Sequence, residues 1–230
     1  MLAIQCIGKE ASTQPVKTTE PLRPKRRRRA ELSPQLITAE AVRIADAEGL
    51  EAVSIRRVAA ALDARPMSLY DHIGSKEGLL DEMSNQIVGE ALVDDLPSDW
   101  RSALTAIARH YYAMFVGHPW VVQLLSEKPR FNPNDTRHAN QFVQAFREVN
   151  VETAEIWVLA GTMNDYVLGH SHRAVSLASH SDLEDVIPQR ELSDYPELAA
   201  LPDYLRTRST VERFEAGLAM VLDGIERQLA

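Results

Sequence analysis

Met67, Ser68, Tyr70, Asp71 and His72 crowd one side of a short stretch whose other side is Leu69 and Ile73. Short polar groups and a flat aromatic ring on one exposed helix face suit base edges and phosphates, where hydrogen-bond patterns and methyl groups distinguish sequences. The chemistry of turnover is not written here. The chain has no glycine-rich phosphate loop, no nucleophile elbow and no HExxH, and its Ser, His and Asp residues stand in no catalytic context. His170 and His172 are two apart, so on a helix they face different ways and hold no metal together. The sequence therefore points to recognition, with no catalytic residue, no metal site and no cofactor.

Two short helices must position that face. Ser54 is an N-cap for the first, Ile55–Leu62, which turns Val58, Ala59 and Leu62 inward. Asp63-Ala64-Arg65 is a corner of helix-turn-helix length. Pro66 suits the first position of the second helix, Pro66–Ile73, where its missing N–H costs nothing. Upstream, Ser33-Pro34 starts a helix that runs to Glu48 and stops at Gly49, with Ile37, Ala41, Ile44 and Ala45 on one face. Downstream, Ser75 caps a helix carrying Leu79, Leu80, Met83 and Ile87.

Residues 54–80 resemble the DNA-binding domain of the TetR family of transcriptional regulators. The resemblance rests on the pair Arg56-Arg57, then Ser68-Leu69-Tyr70-x-His72, then Gly74-Ser75-Lys76-Glu77-x-Leu79-Leu80. Asp63 stands where the family usually has a corner glycine; aspartate tolerates a left-handed backbone, so the corner survives. The resemblance implies that Arg56 and Arg57 anchor phosphate or read guanine, and that Pro66, Met67 and Ser68 face bases. Tyr70, His72 and Lys76 then fix register on the backbone. Ser54 and Arg65, at the two helix starts, belong to the same surface. Asp71 either accepts from a cytosine amino group or repels phosphate. Thr38 either reaches a phosphate or is an exposed residue without a role.

The 230-residue chain has net charge −8, which looks wrong for a DNA binder until it is divided. Residues 1–30 carry +6 and the remainder −14. Arg26, Arg27, Arg28 and Arg29 close a segment without helical period, read either as an arm lying along phosphates or as a solvated tail. The acidic remainder argues against coating DNA indiscriminately. A single cysteine, Cys6, permits no internal disulfide, and no apolar run is long enough to span a membrane. The expected location is the cytoplasm.

Beyond residue 94 the pattern becomes long helices. Trp100, Leu104, Ile107, Ala108, Tyr111 and Phe115 keep a helical period, which His118-Pro119 breaks for structural reasons. Residues 127–134 read as a loop, and a helix from Asp135 or Thr136 turns Ala139, Phe142, Val143 and Phe146 inward. Glu152–Ala178 is apolar on two sides, and Arg208–Leu229 is regular enough to need a partner surface. Residues 99–178 also resemble the C-terminal half of tetracycline-repressor-type members, through Asp99-Trp100-Arg101, His118-Pro119-Trp120 and Tyr166-Val167-Leu168-Gly169. That resemblance implies a ligand pocket, for which the candidates are His110, Tyr111, Phe115, Trp120, Phe142, Phe146, Trp157, Met163 and Asn164. It also implies a four-helix dimer interface, for which they are Gly161, Leu168, His172, Phe214, Gly217, Leu218, Val221, Leu222 and Ile225.

The expectation is an all-α protein in three parts. Residues 1–30 form a disordered basic arm. Residues 31–80 form a three-helix helix-turn-helix DNA-binding domain, joined by a linking helix over 75–93. Residues 94–230 form the larger helical domain for ligand binding and dimerisation. The partners are a double-stranded DNA operator, a small-molecule effector and a second copy of the chain. The function expected is a repressor released from a palindromic operator. An activator or a partner-controlled regulator is the alternative within regulators, and a helical small-molecule enzyme on the same fold the alternative outside them.

Overall fold

The computed structural model describes residues 32–127, 131–178 and 207–230, with Tyr195, Leu198 and Tyr204 between the last two stretches. Residues 1–30 with their arginine run, and nearly all of 179–206, lie outside the described residues. The described residues form α-helices and one 3-10 turn, with no strand among them.

The helices begin where side chains satisfy their unpaired N–H groups. Helix α1 (Pro34–Glu48) is capped by the Ser33 hydroxyl, which accepts from the Leu36 N–H. It ends at Gly49, whose φ of 87° falls in the region that favours glycine. A 3-10 turn (Leu50–Ala52) leads to α2 (Ile55–Ala61), then α3 (Pro66–Ile73) and α4 (Lys76–Glu90), each with the boundary its cap and proline predict to within a residue or so. The body comprises α5 (Trp100–Gly117), α6 (Val121–Glu127), α7 (Pro133–Ala145), α8 (Thr153–Ala178) and α9 (Thr210–Leu229). One start differs from expectation. Helix α7 begins at Pro133, because Asn132 and Asp135 form a reciprocal capping box ahead of it. Its inward face is also shifted by a residue. His138, Gln141, Phe142, Ala145 and Phe146 are buried, whereas Ala139 and Val143 are half-buried.

Helices α1, α2 and α3 pack around Ile37, Ile44, Val58 and Leu69. Helix α4 leaves this head and enters the body, where α7 docks on it. Asn134 donates from its backbone to Asn85 Oδ1 at 3.1 Å and from its side chain to the Asn85 carbonyl at 2.7 Å. Gln141 clamps the strap after α4, donating to the Val93 carbonyl at 2.7 Å while accepting from its N–H at 3.3 Å. Helix α5 packs most extensively on α8, and α9 closes against both.

Gly78, in the first turn of α4, leaves room for the end of α3. A Cβ built there would collide with the backbone carbonyl of Ile73. Backbone cannot swing aside as a flexible side chain does. Gly78→Ala is expected to lower stability by about 1–3 kcal/mol, or roughly 3–10 °C in a thermal melt of a chain this size. A melting temperature within about 1 °C of wild type would show that the α3–α4 corner relaxes freely.

Candidate functional site

The reading face forms as its residue types dictate. Leu69 and Ile73 are buried, which turns the opposite side of α3 outward: Met67 is 71% exposed, Tyr70 39%, and Pro66, Asp71 and His72 are exposed with them. Ser68 is half-buried at the edge. Asp63 has φ 49°, the left-handed conformation expected of the corner. The Ala64 N–H closes the corner by donating to the Ala59 carbonyl at 2.9 Å. Arg56, Arg65 and Lys76 are exposed around this face. The Ser54 oxygen accepts from the Arg57 N–H at 3.2 Å, so it caps α2 and keeps its own proton to donate. Arg57 is engaged: its guanidinium donates to Glu48 Oε1 at 2.6 Å, with both side chains 42% exposed. An ion pair so exposed contributes little, so a phosphate can take Arg57 at small cost.

Thr38 is a correction. It is 4% exposed, and its hydroxyl is buried without a partner among the described residues. The α1 stripe is wide enough to turn this position against α4, beside Glu82, Asn85 and Gln86. It is closed to a phosphate.

Beneath the head, three of the pocket candidates meet around a residue that sequence reasoning passed over. The His138 ring stacks on Tyr111 with centroids 3.9 Å apart and meets the edge of Phe142 at 5.2 Å. Its Nε2 lies 3.5 Å from Asn164 Oδ1, a long contact in which Nε2–H would donate. Its Nδ1 is buried with no partner among the described residues. Met163 is fully buried on the inner face of α8. Burial is the main cause that holds His138 down at about 4 and pushes the Tyr111 hydroxyl well above the usual range. A neutral imidazole with a spare acceptor, among rings and one amide, is what an apolar pocket with few orienting groups requires. The only sequence signal for His138 was its place on the Phe142 face of α7.

The depressed His138 sets a pH dependence. In the folded chain it stays neutral down to about pH 4, whereas in the unfolded chain it takes a proton below about 6.5. Its contribution is therefore complete above pH 6.5 and is lost as pH falls through this window. At pH 5 the loss amounts to about 2 kcal/mol. Urea melts at pH 7 and pH 5 should show a smaller drop for His138→Phe than for wild type. Equal drops would put the ring in water.

Of the other pocket candidates, Phe115 meets the Tyr111 ring edge-on at 5.4 Å, and the remainder lie elsewhere. His110 is exposed on α5, and Trp157 is 47% exposed on the outer side of α8. Phe146 is a core ring stacked on Trp100 at 6.2 Å. Trp120 turns toward α1, where its indole donates to Asp46 Oδ1 at 2.6 Å. His118 Nδ1 faces the same oxygen at 2.7 Å and its Nε2 faces Glu90 Oε2 at 3.2 Å. Gln123 adds a bond to Glu51 at 3.1 Å. The helix break at His118-Pro119 is thus a latch between body and head, with Asp46 at its centre.

The interface candidates divide. Gly161, Leu168 and His172 are exposed on α8. Phe214, Leu218, Leu222 and Ile225 are buried within the chain, because α5 and α8 already cover that face of α9. Phe214 stacks on Tyr112 at 4.1 Å. Gly217 makes room for Tyr166, whose hydroxyl donates to the Phe214 carbonyl at 2.6 Å. The apolar surface left open runs along Val158 of α8 and Met220 of α9, which is 73% exposed, with Val221 and Gly224 lining the groove between them. No helix among the described residues is long and apolar enough to cross a membrane.

Comparison with known proteins agrees with this geometry. Residues 37–83 match the family described as bacterial regulatory proteins, tetR family, and residues 94–229 match the tetracyclin repressor-like C-terminal domain. The chain is 30% identical over 225 residues to the HTH-type transcriptional repressor DrrR1 of Streptomyces coeruleorubidus, covering 89% of this chain and 81% of that one. Among solved structures, Streptomyces coelicolor ActR in complex with actinorhodin superposes with a TM-score of 0.73 at 22% identity, over 87% of this chain and 100% of that one. BioQ with its double-stranded DNA operator superposes with a TM-score of 0.57 at 23% identity, over 84% and 98%. The chain belongs to the tetR family of bacterial regulatory proteins: it is a DNA-binding transcriptional regulator rather than an enzyme.

Proposed function

We propose that the protein is a homodimeric, cytoplasmic repressor that holds an inverted-repeat operator and is released by a flat aromatic small molecule. The observation that carries the DNA half is the face of α3, where a buried Leu69–Ile73 stripe obliges Met67, Tyr70, Asp71 and His72 outward. Two such helices related by a two-fold axis enter successive major grooves. The open Val158–Met220 groove is the surface that a second copy covers. The stacked Tyr111–His138 pair supports a planar effector, entering where Asn164 and the free His138 Nδ1 offer it orientation. The relatives fit this chemistry, since actinorhodin is the ligand named in the ActR complex. An effector shifts DNA affinity only by the difference between its affinities for the DNA-competent and DNA-incompetent states.

The test is selection of duplexes from a random pool at about physiological salt, where purely electrostatic binding is weak. An enriched inverted repeat supports the dimeric reader, and its spacing gives the separation of the two heads. Enrichment of nothing by a folded dimer would sink the proposal.

A further inference from the structure

A cavity lies away from the Tyr111–His138–Asn164 cluster. It occupies about 350 Å³ between the C-terminal half of α8 and the N-terminal half of α9. Tyr166, His170 and Arg173 line it from α8, Thr210 and Arg213 from α9, and Tyr204 from the approach to α9. Among the described residues that line it there is no carboxylate, although the chain as a whole carries −8. The nearest acid named by its influence on Tyr166, Glu215, is held by Arg109 in a two-pronged pair at 2.8 and 2.8 Å.

The polar groups here are organised. Arg173 has no hydrogen-bond or ion-pair partner among the described residues. Arg213 is fixed by its own donation to the Arg208 carbonyl. The Arg208 guanidinium in turn lies over the Tyr204 ring, 5.9 Å from its centroid. His170 Nε2 lies 3.1 Å from the Thr210 carbonyl, so that nitrogen carries the proton and the ring's other nitrogen is the acceptor. Tyr166 spends its proton on the Phe214 carbonyl. Burial first, then the charges of Arg173 and Arg213, hold His170 below its ordinary range, which places both positive charges within reach of this cavity.

We propose that this cavity binds an aromatic carboxylate: its anionic group pairs with the Arg173 fork while its ring lies among Tyr166, His170 and Tyr204. A guanidinium matches a carboxylate in two parallel hydrogen bonds, and the described lining offers two guanidinium groups to an anion. The rings supply edge and face contacts that a hydrated inorganic anion cannot use. This site is separate from the effector pocket and does not depend on it.

The probe is 2-naphthoate, with neutral 2-naphthamide as its control, titrated by calorimetry into the full-length protein. The expected result is saturable binding of the acid and none of the amide. Arg173→Met keeps the aliphatic stem of an exposed side chain and should leave the unliganded melting temperature unchanged while weakening 2-naphthoate about tenfold or more. His138→Phe, in the other pocket, should leave 2-naphthoate affinity unchanged. Retained affinity in Arg173→Met, loss of affinity in His138→Phe, or binding of sulfate as tight as that of 2-naphthoate would each overturn the assignment.

Discussion

Asp46→Ala should destabilise the protein by about 1–3 kcal/mol, because it strips the acceptor from the indole N–H of a buried tryptophan. Trp120 is 6% exposed, and its nitrogen has one bond, to Asp46 Oδ1. His118 loses the same oxygen and is left with Glu90 alone. For a chain of this size the loss corresponds to roughly 3–10 °C in melting temperature. Trp120→Phe removes the buried donor, so in that background Asp46→Ala should cost about 1–2 kcal/mol less. Equal costs in the two backgrounds would show that the Asp46–Trp120 bond carries no coupling.

The same variant has a functional consequence. Asp46 belongs to α1, in the head, whereas His118 and Trp120 belong to the corner between α5 and α6. A ligand beneath the head can move it only through contacts that differ between two arrangements. This latch is such a contact, with a charged acceptor at its centre and buried apolar packing around it. Hydrogen exchange across residues 34–62 should therefore quicken in Asp46→Ala while exchange within α8 stays as in wild type. Unchanged exchange in the head would remove the latch from the coupling route.

The head was legible in the sequence because its signals are local. Ser33-Pro34, Ser54, Pro66 and Ser75 each fix a helix start through the next few N–H groups, and each lies where its cap predicts. The body was less legible because its key contacts join residues far apart in the chain. Asp46 meets Trp120, His138 meets Tyr111 and Asn164, and Gly217 meets Tyr166. Periodicity shows which residues turn inward but not which neighbour they meet. This is why Phe214, Leu218 and Leu222, which the chain's own helices cover, were expected at an interface: an apolar stripe reads the same whether another helix of the chain or a second copy covers it. Thr38 was misplaced for a related reason, since a threonine near a helix start can face either a phosphate or the core. The Asp46 carboxylate gave no signal, because an acid on a helix surface is ordinary until a distant indole is seen to depend on it.

The reading face makes the sharpest prediction about DNA. In a two-fold dimer every substitution acts twice, once in each half-site. On the proposed reading Tyr70, exposed on α3, gives one hydroxyl to the backbone, a bond of about 1–1.5 kcal/mol. Tyr70→Ala should therefore weaken operator binding about 30- to 150-fold, without changing which base is preferred at any position. Lys76 carries a charge, so Lys76→Ala should also lower affinity and in addition flatten the salt dependence, by about one unit of slope for each phosphate it no longer neutralises. Met67, the most exposed of the face's apolar groups, has no proton to give and no charge to screen. On the proposed reading it packs on a thymine methyl, so Met67→Ala should relax the preference at one symmetric pair of positions while leaving the salt slope unchanged. Repeating the duplex selection with the three variants separates these roles. A new preferred sequence from Tyr70→Ala would move that ring from the backbone to the bases. An unchanged preference from Met67→Ala would take the exposed methionine out of the groove.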